Sequence, residues 1–199
     1  MSIVLVGSTS GSVTLQEPAV AGTTVLTLPA VSGTVLTTGS SGQSIPKAAL
    51  PTGSVLQVVQ GTLTSTFSTT SSTYVDTGVS ATITPTSNTS KILVFISTLA
   101  GLNGINDSFY STIFRGSTNI YYGSDTGKAM MGRQYQTNAG ASDGFQLNLH
   151  YLDSPATTSA TTYSLRIRND GNGTTLYVGR IYSANEAGGG VIQLMEIAA

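Results

Sequence analysis

The sequence predicts an all-β protein: an N-terminal extended β-stem segment followed by a jelly-roll-like β-sandwich knob. Three observations carry that prediction. Ser and Thr make up more than a quarter of the chain, alongside abundant Val, Ile and Tyr and 23 Gly. Thr, Val, Ile and Tyr suit pleated strands, whereas Gly, Asn and Ser suit tight turns. Several segments alternate polar and apolar residues with the period of two that a half-buried strand requires. No segment keeps the helical spacing of about 3.6 residues.

The chain opens with a short apolar run at Ile3 to Val6. It has no basic leading region and is too short for a signal-peptide core. No stretch approaches the roughly 20 apolar residues that cross a bilayer. On this reading the protein is soluble, is made in a cytoplasm and shows no export signal. Residues 1–38 carry one charged side chain, Glu17, and contain a near-repeat: "PAVAGT" from Pro18 returns as "PAVSGT" from Pro29. "SVTLQEP", "TTVLTLP" and "GTVLTT" are expected to be short strands punctuated by Gly and Pro. Their apolar residues, Val13, Leu15, Val25, Leu26, Leu28, Val35 and Leu36, cannot be enclosed by about forty residues, because so small a segment has too much surface for its volume. Repeats of this kind bury a face only against neighbours. The segment is therefore expected to be an assembly element, covered by two sister copies about a three-fold axis or by another protein.

Residues 39–53 are dense in Gly, Ser and Pro and read as a linker, including "PKAAL". Residues 54–199 are expected to hold eight or nine strands of a sandwich. "SVLQVVQ" begins them, and "STYVDTGVSATITP" is expected to add a pair. "KILVFISTLAG" is a continuous apolar run, the pattern of a strand buried on both faces. "SFYSTIFRG" and "NIYYG" follow. In "GFQLNLHYL", Phe145, Leu147, Leu149 and Tyr151 fall on one face and Gln146, Asn148 and His150 on the other. In "TYSLRIRN", Tyr163, Leu165 and Ile167 point inward and Ser164, Arg166 and Arg168 outward. "TLYVGRIY" and "VIQLMEI" complete the set, with hairpin turns expected at Asp143-Gly144 and at Asp170 to Thr174.

Reactive constellations are scarce. There is no Cys, which excludes disulfides and thiolate metal sites. The one His, His150, reads as a solvated strand residue. Asp76, Asp107, Asp125, Asp143, Asp153 and Asp170 read as turn-forming or solvating residues rather than as a glycosidase pair. "DGNGT" starts like a calcium loop, but its twelfth position is Ile181, where a Glu is required. No catalytic residue, cofactor or metal ligand is assigned. Arg115, Arg133, Arg166, Arg168 and Arg180 are expected to pair with scattered acids or to lie on a solvated face. Tyr121, Tyr122 and Tyr135 flank loop-like stretches and are candidates for subunit or receptor contact. With 9% charged residues and a net charge of -1, the chain has no basic footprint for nucleic acid or an anionic membrane.

"SGSVTLQEPAVAGTTVLTLPAVSGTVLTT" resembles the leading segment of bacteriophage virion proteins of the tail-fibre type. "STYVDTGVSATITPTSNTSKILVFIS" is similar to segments in their outer knobs, and "VIQLMEIAA" to their C-termini. The resemblance implies a homotrimeric, non-enzymatic component of the virion surface, assembled in the host cytoplasm. Such a chain would hold to tail, baseplate or capsid proteins through its N-terminal segment and present a jelly-roll knob to host polysaccharide. It is read first as a short fibre or fibre tip in host attachment. The alternative is a capsid decoration or cement protein docked on the shell. A sugar-cleaving enzyme and a cellular adhesin rank lower.

Overall fold

The computed structural model describes residues 3–6, 9, 12–15, 50–104, 107–120, 132–136, 144–171, 173–180 and 188–199; of 3–5, 12–15 and 132–136 it describes the backbone. The chain divides into two compact units, Met1–Ser44 and Ile45–Ala199. Among the described residues there is no helix.

In the first unit, β1 (Ile3–Val6) pairs antiparallel with β2 (Ser12–Leu15), Ile3 opposite Leu15 and Val6 opposite Ser12. The strand expected at "SVTLQEP" is present. Its partner was not expected, because the Ile3–Val6 run had been weighed only as a leader. The strands expected at "TTVLTLP" and "GTVLTT" lie outside the described residues. A lone two-stranded ribbon is marginal in water, and Val6 is 81% exposed.

The second unit holds eleven strands among its described residues: β3 (Val55–Leu63), β4 (Phe67–Thr69), β5 (Val75–Ile83), β6 (Lys91–Leu102), β7 (Asp107–Arg115), β8 (Thr118–Asn119), β9 (Gly132–Gln136), β10 (Gly144–Asp153), β11 (Thr161–Asn169), β12 (Leu176–Val178) and β13 (Gly190–Ile197). They form two antiparallel sheets. In the first, β6 pairs along one edge with β10, and along the other with β13 and then β12 end to end. β3 flanks β13 and β4 flanks β12. In the second, the order is β5-β11-β7, and β8 and β9 share the far edge of β7. The eight principal strands are thus ordered β3-β13-β6-β10 and β5-β11-β7-β9. With chain order alternating between the sheets in this way, the connectivity is jelly-roll-like, two Greek keys wrapped into a sandwich.

The core follows from alternation along each strand. β6 turns Ile92, Val94, Ile96, Ala100 and Leu102 inward, all essentially inaccessible to solvent. They meet Ile192 and Leu194 from β13, Leu147 and Leu149 from β10, and Val79, Ile83, Phe109, Ile113, Tyr163, Leu165 and Ile167 from the opposite sheet. The inward sets expected for "GFQLNLHYL" and "TYSLRIRN" are those observed, with Phe145 and Tyr151 half-buried against the core.

Two local readings need correction, and one expected segment is held at its end. "STYVDTGVSATITP" forms one bent strand, β5, rather than a pair. Its register against β11 slips between Ser80 and Asp76. Gly78 occupies the bulge at φ +83°, a conformation open to Gly without a Cβ penalty. Asp76 Oδ1 accepts from the Gly78 N–H at 2.9 Å, and Thr77 Oγ1 donates to the Leu165 carbonyl at 3.0 Å. "DGNGT" is not a hairpin, because β11 and β12 lie in different sheets. Asn169 organises that crossing: Oδ1 accepts from the Gly171 N–H, and Nδ2 donates to the Thr174 carbonyl and hydroxyl. The expected linker is not loose at its end. Gly53 N–H donates to Ala198 O at 2.8 Å and Ala198 N–H to Ser54 O at 2.9 Å, pinning it to the C-terminus.

Close approach of the sheets is possible at β3 because residue 61 is Gly. A Cβ there would press into the Ser80 carbonyl of β5 and against Ile192. Gly116 also has positive φ, +57°, but open space around it. Gly61→Ala is expected to cost about 2–3 kcal/mol through overpacking, and Gly116→Ala about 1 kcal/mol through backbone strain alone. Urea unfolding of the two variants checks the order.

Candidate interaction surfaces

The sandwich carries few titratable groups, and most of them hold the structure together. The row of inward positions at one end of the first sheet is Gln57, Glu196, Ile92 and Asp153 across β3, β13, β6 and β10. Two carboxylates therefore point into the core at this end. Asp153 accepts from Arg115 Nη1 through both oxygens, at 3.0 and 2.8 Å, and from Tyr163 OH at 2.7 Å. Arg115 and Tyr163 belong to the opposite sheet, so this pair of bonds clamps the layers. Burial, reinforced by the Asp153 charge, pushes the Tyr163 hydroxyl well above its ordinary value.

Glu196 makes a second clamp. Its Oε1 accepts from the Thr86 N–H at 2.6 Å and the Thr86 hydroxyl at 2.7 Å, and its Oε2 from Gln57 Nε2 at 2.5 Å. Burial alone would raise this carboxyl. Donors from Thr86 and Gln57, with Ser90 close by, outweigh it and hold the group below the usual carboxylate value. The result anchors the β5–β6 connection to β13. A depression of about 400 Å³ lies beside it, between Leu50, Leu56, Thr86, Thr89 and the C-terminal Ala198 and Ala199.

At the other end Asp107 is also buried, accepting from the Thr174 hydroxyl and from the Ser108 N–H at 2.7 Å. The expectation that the Asp residues are solvated turn formers thus fails for Asp107 and Asp153. Both lie at strand ends and satisfy donors of the opposite layer or of a crossing loop. It holds for Asp76, which caps the Gly78 N–H at the surface. Among the described residues no group of three or more His, Asp or Glu is placed to hold a metal ion.

The two outer faces differ in kind. That of the second sheet carries the charge. Arg166 lies over the Phe114 ring at 4.2 Å, and Arg168 over Tyr110 at 4.1 Å and Tyr74 at 5.6 Å. Tyr110 OH donates to Asp170 at 2.9 Å. This stacking explains why β7 is buried on both faces, Tyr110 and Phe114 included. Of the arginines expected to pair with acids, Arg115 does so, while Arg166, Arg168 and Arg180 lie on aromatic faces, Arg180 at 4.0 Å from Tyr177. Guanidinium planes stack well on rings and shed hydration readily.

The outer face of the first sheet has one wholly apolar row and is otherwise mostly neutral and polar. Along it run Val58, Met195, Leu93 and Leu152 as one cross-strand row, then Gln60, Gln193, Phe95 and His150, then Thr62, Val191, Ser97 and Asn148. Phe95 is 40%, Leu152 47% and Val58 56% exposed. A depression of about 480 Å³ lies over Phe95, Ser97, Asn148, His150, Val191, Gln193 and Met195. His150 is exposed, as expected, with its ring beside that of Phe95 at 6.4 Å between centroids. The expectation that "KILVFISTLAG" is buried on both faces is met only in part among the described residues: Lys91, Phe95 and Ser97 are exposed, and Leu93 and Leu99 half-buried.

The contact residues chosen from sequence are placed as follows. Val13 and Leu15 lie on β2, and Tyr135 on β9 opposite Ser108, with side chains outside the described set. Val25, Leu26, Leu28, Val35, Leu36, Tyr121 and Tyr122 lie outside the described residues. The face around Phe95 and Leu152 was missed as a surface, although the unbroken apolar run of β6 signalled it. No protein-family model matches this chain, and no curated protein matches it.

Glu196 makes the sandwich acid-sensitive in a defined direction. Its folded carboxyl titrates below the unfolded value of 4.5, so its contribution is full above that value and is lost as pH falls through the folded one. Glu196→Gln leaves a donor facing donors and is expected to cost about 1–3 kcal/mol at neutral pH. The loss shrinks as the pH drops below 4.5, and unfolding curves across the acid range check it.

Proposed function

We propose that this chain is a non-enzymatic bacteriophage virion surface protein, a homotrimeric short fibre or fibre tip that presents its sandwich for host attachment. One observation carries the reading: a nearly charge-free repeat segment, whose described part includes the β1–β2 ribbon, is joined in sequence to a jelly-roll-like knob. A two-stranded ribbon by itself is marginal in water, and sister copies would cover it. The knob is a rigid scaffold whose loops can carry recognition. The resemblance of the Val-Thr-Leu units to phage virion segments supplies the setting. The same reading makes the N-terminal segment the anchor, held by tail, baseplate or capsid proteins, and places the protein on the virion surface.

The buried carboxylates support a binding rather than a catalytic role, since Asp107, Asp153 and Glu196 are each engaged by structural donors. Attachment would then rest on multivalence. A weak site presented three times per trimer, and by several trimers, gains avidity without a new contact. With few charges at stake, attachment to host polysaccharide would respond little to salt.

Labelling the protein on intact particles tests the assignment. A few copies at fibre ends, together with binding of the purified chain to host cells that persists in high salt, is the expected result. Label spread over the shell in many copies would replace the fibre by a capsid decoration protein. Turnover of host polysaccharide by the pure chain would overturn the non-enzymatic reading.

A further inference from the structure

We infer that the outer face of the β3-β13-β6-β10 sheet is the surface on which copies of this chain meet. The inference rests on the oligomeric reading above and adds to it a location in the knob, independent of the N-terminal segment. β6 supplies the first reason. Its apolar run continues onto the outward side through Leu93, Phe95 and Leu99, the tendency of a strand covered on both sides, yet among the described residues Phe95 is exposed and Leu93 and Leu99 only half-buried. Leu93 and Phe95 on β6, Met195 on β13, Leu152 on β10 and Val58 on β3 make the uncovered side continuous across four strands.

The distribution of charge supplies the second. The opposite sheet directs Asp76, Arg166 and Arg168 outward, whereas on this side the described charged residues lie at the two margins, Lys91 at one end and Arg180, stacked on Tyr177 of β12, at the other. Interface centres are depleted of charge and enriched in aromatic residues and Met. The polar groups present are neutral and partly paired with each other: Gln193 donates to Gln60 at 3.1 Å and Gln146 to Ser97 at 2.9 Å. They can be covered without stranding a charge.

Size supplies the third. Four strands spaced about 4.8 Å apart, with β6 rising about 3.4 Å per residue over Ile92 to Thr98, where all four are paired, give a face of roughly 500 Å² in plan. That is the larger part of the roughly 800 Å² each partner contributes to a stable interface. A second copy of the same uncharged face is complementary to it in chemistry, and a closed ring of copies removes the exposure altogether.

Because the chain has no native Cys, a single introduced thiol reports on the face cleanly. Full-length Phe95→Cys is treated with a short bifunctional maleimide at micromolar concentration, beside Thr118→Cys on the exposed edge of the other sheet. Leu152→Cys is a second reporter if Phe95→Cys folds poorly. Cross-linked oligomers from Phe95→Cys, with about tenfold less from Thr118→Cys, are expected. Adding Val58→Lys and Leu152→Lys should reduce the Phe95→Cys product about tenfold, the scale of losing central contacts. Light scattering on the untreated chain separates the outcomes. An oligomer whose two reporters cross-link equally overturns this face and leaves the oligomeric reading standing. A monomer overturns both. A monomer whose Phe95→Cys thiol is shielded by added host oligosaccharide makes the face a glycan site instead.

Discussion

The inward side of β6 is the constraint on which the rest of the sandwich depends. β6 has hydrogen-bonded neighbours along both edges for nearly its full length, and its alternate residues form the floor of the core. A strand so placed fixes register on both sides. Shifting β10 or β13 by one residue would turn Leu147, Leu149, Ile192 and Leu194 out to solvent and bring polar neighbours in. The second sheet then has one apolar floor to cover, and β5, β11 and β7 cover it with Val79, Ile83, Leu165, Ile167, Phe109 and Ile113.

Closing a sandwich leaves its ends, where strands turn over and backbone groups must find partners. This chain closes them with buried polar residues rather than with more hydrocarbon. Asp153 and Glu196 stand in the same cross-strand row on either side of Ile92 and take donors from the opposite sheet and from the β5–β6 connection. Asp107 and Asn169 do the same at the other end. A buried carboxylate is costly unless its oxygens are filled, and a filled one discriminates sharply against wrong arrangements, since any slip strands a charge. Charged residues are scarce in this sequence; three of its acids are spent on this purpose.

Much of this was legible from period-two alternation. The inward sets of β10 and β11 could be named residue by residue, because a strand's pleat leaves no third choice. What escaped was whatever depends on a partner distant in sequence. Asp107 and Asp153 looked like turn residues because their neighbours are loop-like; only Thr174, Arg115 and Tyr163, brought in by the fold, make them interior groups. β5 read as two strands because Gly78 interrupts it, and a bulge and a turn have the same local chemistry. Arg166 and Arg168 were correctly placed outward. Their resting places on Phe114 and Tyr110 needed the β11–β7 register, which no local signal contains.

The difference at β6 is the most informative. "KILVFISTLAG" reads as covered on both faces, and the described residues cover one fully and the other in part. The residues that break the expectation, Leu93 and Phe95, are continuous with Met195, Leu152 and Val58 from three other strands, so the discrepancy is not scatter in one segment. An antiparallel sheet with one wet face normally alternates apolar with polar, as β10 does through Gln146, Asn148 and His150 until Leu152. β6 lies at the centre of the sheet and keeps its apolar character on the wet side, where helix or sheet propensity gains nothing from Leu over Thr. Leu93, Phe95 and Leu99 on the surface-facing side follow the rule of an interior, and an interior needs a second layer that the described residues of the sandwich do not place there.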